Sequence, residues 1–181
     1  MSPTSYHAAP PRSRNDSGGG LLPQPGSDST GLAGSDTMGV VADVFSLTPD
    51  LVNAAVREHW ESNPHECVEI GPTYAVARQV IDQTNLRPGG FVPGPTQFSI
   101  ADLVLWYVSF AALGRVEPMS LTSELSIRFL RPARGEVMWA RADVDKAGRT
   151  SVVGTVRIWM DDEPNRLVST AQGTYMFPRS S

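Results

Sequence analysis

A single cysteine, Cys67, stands in the 181 residues of this chain, so it forms no intramolecular disulfide, redox pair or cysteine-built metal centre. A reducing, cytoplasmic setting and no metal are the corresponding expectations. A basic excess is missing too: 15 Lys and Arg against 19 Asp and Glu leave a formal net charge of -4. That balance lacks the positive footprint of a nucleic-acid or membrane-surface binder, and neither partner is expected. The longest apolar run is too short to span a bilayer, and no central apolar stretch follows Arg12 and Arg14 as a secretory signal requires. What remains, with 40% hydrophobic residues, is enough apolar material for one sizeable core and too little length for two.

The chain divides into two regimes. Residues 1–38 are Ser, Pro, Gly and Thr with scattered charge, and their few apolar side chains cannot offset the entropy of ordering the backbone; a disordered leader is expected there. Residues 39–181 form the expected domain. Thr48, Pro49 and Asp50 supply a cap, a first-turn proline and an early acid, and Leu51, Ala55 and His59 follow at helical spacing, predicting a helix to about residue 62. Strand-like stretches at 66–70 and 74–81, separated by Gly71-Pro72, predict a hairpin.

Three glycines and three prolines make 87–96 a shaped loop. It leads into 97–113, whose apolar residues cover every side of a helical wheel, so this helix must be buried. Four alternating segments follow at 119–130, 136–145, 150–160 and 167–177, with links of turn composition, and these are expected to be antiparallel neighbours. One antiparallel sheet with an apolar face satisfies such a helix by curling around it, which is an α+β arrangement. Because a curled sheet covers only part of the helix, a second subunit is expected to complete its burial.

Asp102 is the one charged side chain between Gln97 and Leu113, with Ala101 and Leu103 beside it and Phe98 and Trp106 one turn away. Burying a carboxylate is costly unless it is paired or hydrogen-bonded, and perturbed carboxylates cluster at reaction sites. An acid that merely suits the positive end of a helix dipole is the structural alternative. A helix start at Gly94-Pro95-Thr96 makes Asp102 a mid-helix residue and favours a catalytic or ligand-contacting role.

The segments Arg87-Pro88-Gly89-Gly90, Gly94-Pro95, Ser99-Ile100-Ala101-Asp102 and Phe129-Leu130-Arg131-Pro132-Ala133 resemble the PaaI-type branch of the hotdog thioesterases, over about residues 66–177. The resemblance implies a hotdog fold, an antiparallel sheet wrapped around a long central helix, assembled as a homodimer or a dimer of dimers. It implies hydrolysis of an acyl-CoA or acyl-carrier-linked thioester, with CoA arriving as part of the substrate and no cofactor. In that family a glycine at the head of the helix offers its N–H to the thioester carbonyl, and an acid in a Leu-Ala-Asp-like motif drives attack by water. Gly94 and Asp102 hold the matching positions, and unpaired N–H groups at a helix start suit a developing oxyanion. Asp102 is then general base or nucleophile, with the base favoured.

Family members also carry a Ser or Thr ten residues before the Pro of the Phe-Leu-Arg-Pro motif, here Thr122. Strand alternation puts Leu121, Leu125, Ile127 and Phe129 on the apolar face and turns Thr122 the other way, towards a partner subunit's site. Arg131, Arg134, Lys146 and Arg149 lie at strand ends where the nucleotide of CoA is expected to rest, Arg by virtue of its planar donor fork. Trp106 and Tyr107 are placed in the acyl pocket or in the core. The family's His-Gly-Gly lead into the helix is replaced by Val92-Pro93-Gly94. A hydratase needs a histidine at the active-site helix, and His7, His59 and His65 all precede it. A non-catalytic acyl-CoA sensor or scaffold keeps the pocket and the Arg residues and is the alternative to hydrolysis.

Overall fold

The computed structural model of the protein describes residues 45–179, and the expected leader at 1–38 lies outside them. Helix α1 spans Pro49–His59; Thr48 Oγ1 accepts the Leu51 N–H at 3.3 Å, and Asp50 sits in the first turn. Its buried residues are Val52 and Val56, while Leu51 is 53% exposed. The row through Val52 and Val56 presents two β-branched side chains, where the expected row through Leu51 and Ala55 ends in the polar His59, and the more apolar row is the buried one. Strands β1 (His65–Gly71) and β2 (Tyr74–Val80) form the expected antiparallel hairpin, with Gly71 opposite Tyr74.

Between β2 and the long helix, Gly89 and Gly90 both have positive φ (89° and 72°), and this lets the loop fold back so that Arg87 and Phe91 pair. Helix α2 then runs Gly94–Leu113, with Pro95 in its first turn and Gly114 in the left-handed conformation at its end. Strands β3 (Leu121–Phe129), β4 (Val137–Ala147), β5 (Ser151–Met160) and β6 (Ser169–Met176) complete the domain.

All six strands form one antiparallel sheet in the order β1-β2-β4-β5-β6-β3. The last four strands are therefore not all sequential neighbours as expected: β3 pairs with β6 at the edge, and β4 pairs with β2 and β5. The link from β3 to β4 is a crossover, not a hairpin tip. The Leu130 and Arg131 N–H groups donate to the Val168 carbonyl, the Val92 N–H donates to the Ala133 carbonyl, and Ala133 is buried. A turn composition alone does not distinguish such a tethered crossing from a hairpin.

The sheet curls around α2, whose Ile100, Leu103, Val104, Leu105, Tyr107, Val108 and Phe110 are buried in a core shared with β1, β2 and β4–β6. This is the expected hotdog arrangement. Leu105 sits against two glycines that face each other across β5 and β6, Gly154 and Gly173. A Cβ added to either would come within 2.9 or 2.8 Å of a Leu105 methyl. By length and composition alone α2 could cross a membrane, contrary to the reading of its apolar run as too short, but it serves here as the core helix, largely enclosed by the sheet. One stripe of α2 is covered only in part: Phe98, Asp102 and Trp106, at i, i+4 spacing, are all at least partly exposed.

Candidate active site

The acid on that stripe is held by two hydroxyls. The Thr122 Oγ1 donates to Asp102 Oδ1 at 2.7 Å, and the Tyr175 phenol reaches the same oxygen at 2.8 Å. Tyr175 also lies 3.0 Å from the Asp102 main-chain carbonyl, and its ring is buried. Burial in the first place, and then the neighbouring Asp102 charge, push the Tyr175 phenol well above its ordinary pKa. It therefore stays a protonated donor.

Thr122 thus meets the Asp102 of its own chain, instead of turning away from it as strand alternation suggests. The cause is a β-bulge at Ser123: Thr122 pairs with Tyr175, but Glu124, not Ser123, pairs with Thr174. The extra residue restarts the alternation, so Thr122 joins Leu125, Ile127 and Phe129 opposite the inward residues of β6, and Leu121 moves to the outer face, 66% exposed. Sequence alternation cannot reveal a one-residue insertion within a single strand. Tyr175 was not singled out in the sequence, although it ends the inward row Ser169, Ala171, Gly173, Tyr175 as the one large side chain with a polar tip.

Gly94 opens α2, where the first N–H groups have no intrahelical partner. It lines a cavity of about 630 Å³ together with Arg87, Phe91, Gln97, Phe129 and Arg131. A Cβ at Gly94 would lie 3.1 Å from the Phe129 ring, so glycine keeps this approach open. Gly94 and Asp102 are eight residues apart on one helix, a rise of about 12 Å. One thioester carbonyl cannot touch both within one protomer, so the chain by itself does not bring these two residues together.

The four cations expected around the nucleotide separate into two pairs. Arg131 donates to the Leu167 carbonyl at 2.7 Å and Arg134 lies 4.1 Å over the Phe91 ring, both before β4 begins. Lys146 and Arg149 lie at the far end of β4, and nine residue steps from Val137 to Lys146 amount to about 30 Å. A single bound phosphate group does not reach both pairs. Arg87, quoted in the sequence as part of the loop motif but not as a site residue, joins Arg131 around the Gly94 cavity. Trp106 packs edge-on against Phe110 with centroids 5.0 Å apart, at the margin of the core. Among the described residues no group of three or more His, Cys, Asp or Glu is arranged to hold a metal.

A sequence model described as the thioesterase superfamily matches residues 89–165, which contain all of α2, β3, β4 and β5. A candidate thioesterase from a Silicibacter species shares the fold with a TM-score of 0.65 and 26% identity, over 74% of this chain and 94% of that one. Over residues 89–165 the chain is similar to the thioesterase superfamily, and it has the hotdog fold. A thioesterase family protein from Silicibacter pomeroyi shares the fold at 24% identity and a TM-score of 0.62, over 70% of this chain and 95% of that one. The Escherichia coli PaaI protein, from the phenylacetic acid degradation operon, shares it at 17% identity and 0.59, over 74% and 97%. No curated sequence matches the chain. At that general level the similarities support thioester hydrolysis as the chemistry. Gly94, Asp102 and Thr122 fall within the matched span, and Tyr175 lies beyond it.

Proposed function

We propose that this protein hydrolyses acyl-CoA thioesters at sites shared between two copies of the chain, each site combining Asp102 of one protomer with the Gly94 N–H of the other. The observation that carries this reading is a carboxylate tethered by Thr122 and Tyr175 on the stripe of α2 that its own sheet covers only in part. A second copy covering that stripe, which includes the 41%-exposed Phe98, removes water from around the acid and brings in a helix N-terminus. Asp102 takes a proton from the attacking water, the carbonyl oxygen gains negative charge against the Gly94 N–H, and the thiolate of CoA departs. Arg87 and Arg131, beside the Gly94 cavity, suit the phosphates of CoA. An acyl group on a carrier protein presents the same thioester.

Thiol release from a panel of aliphatic and aromatic acyl-CoAs, comparing the native chain with Asp102→Asn, tests this. Loss of the base is expected to lower turnover about 10²- to 10⁴-fold. Saturable binding without turnover, the same in both proteins, sinks the hydrolytic reading and marks a non-catalytic acyl-CoA sensor or scaffold. The replacement of His-Gly-Gly by Val92-Pro93-Gly94 is the observation that favours that second reading.

A further inference from the structure

We propose that Tyr175 is a positioning residue of the hydrolytic site, holding the Asp102 carboxylate in its working orientation together with Thr122. This rests on the reading of Asp102 as the base. The two hydroxyls belong to directly paired residues, Thr122 on β3 and Tyr175 on β6, and both bond the same oxygen, Oδ1, at 2.7 and 2.8 Å. A carboxylate with two donors on one oxygen cannot turn about its terminal torsion without losing both bonds. Oδ2 carries neither of them and is the oxygen left to meet water.

The two tethers are built differently. Thr122 stands on an edge strand of the sheet, whereas Tyr175 is 4% exposed and anchored in the core. A buried phenol with a rigid ring keeps its oxygen in place, so Tyr175 fixes the geometry to which Thr122 adds. It cannot itself serve as the base, because its phenol remains protonated. Its role is exerted through Asp102, and its removal acts on the chemical step more than on substrate binding.

The test uses the full chain with an acyl-CoA that the native protein turns over. Tyr175→Phe keeps the ring and deletes the hydroxyl; kcat is expected to fall about 10- to 100-fold with KM changed less than about 2-fold. Melting temperature and circular dichroism check that the variant is folded. Tyr175→Met, of similar bulk and also without a hydroxyl, provides a second variant for which the same split is expected. If Asp102→Asn is inactive while both folded Tyr175 variants keep kcat within about 2-fold of native, the positioning role is wrong and the hydrolytic reading stands. An equal rise in KM and fall in kcat/KM at constant kcat also overturns it, since Tyr175 would then act on binding. A native protein without turnover, or Asp102→Asn as active as native, overturns the hydrolytic reading and this inference with it.

Discussion

Two inactive variants of this protein should restore each other. Along α2, Gly94 and Asp102 are separated by eight residues and about 12 Å of rise, several times the reach of a water molecule between a base and the carbonyl it attacks. If each site takes its Gly94 from one protomer and its Asp102 from the other, a dimer of one Gly94→Ala chain and one Asp102→Asn chain contains one doubly damaged site and one native site. Gly94→Ala inserts a methyl 3.1 Å from the Phe129 ring and narrows the approach to the amide, and losing an oxyanion contact is worth about 10²- to 10³-fold in kcat. Phe129 is 54% exposed and can give way, so this variant should stay folded, within about 1 kcal/mol of native stability. Random reassortment makes half of the dimers mixed, so activity should recover to about a quarter of native. The assay is thiol release after the two variants are unfolded and refolded together, with each refolded alone as a control. No recovery, in a sample shown by mass to contain mixed dimers, would refute the shared-site arrangement.

Stability offers two further tests. Burial lowers the His65 pKa from 6.5 to about 4, so the unfolded chain takes up a proton over that interval that the native chain refuses. Stability is therefore complete above about pH 6.5 and falls as the pH drops towards 4, by on the order of 3 kcal/mol at 1.36 kcal/mol per pH unit. Urea melts from pH 4 to 7 should show this slope, and His65→Phe should flatten it; an unchanged slope would mean other groups set it. Gly173→Ala would place a methyl 2.8 Å from the Glu124 carbonyl oxygen and 2.8 Å from Leu105, and backbone does not yield cheaply. A loss of about 1–3 kcal/mol in chemical denaturation is expected, and native-like stability would show that β3 can shift at that point.

The long helix was legible because its apolar residues leave no polar face, and Asp102 was legible because it interrupts them. Strand positions followed from alternation and were right to within a few residues. Strand order was less accessible: the link through Pro132 and Gly135 has a turn's composition whether its ends pair with each other or, as here, with Val168 and Val92. The direction of Thr122 was lost to the bulge at Ser123, which alters no residue type and leaves no periodic mark. Tyr175 was hidden for another reason. An aromatic residue on the inward face of a strand looks like packing, and only the fold shows that its hydroxyl ends at a carboxylate 73 positions away.

The paired glycines of β5 and β6 give the sheet a notch, and Leu105 fills it like a key in a slot. The slot sets the angular phase of the helix from inside the domain. Lengthening or rewriting the 87–92 loop should then leave the helix pointing the same way, while a bulkier residue in the notch should rotate it and swing the acid off its two hydroxyls. Tolerance to change is accordingly expected to be greater outside the curled sheet than at two residues that carry no side chain at all.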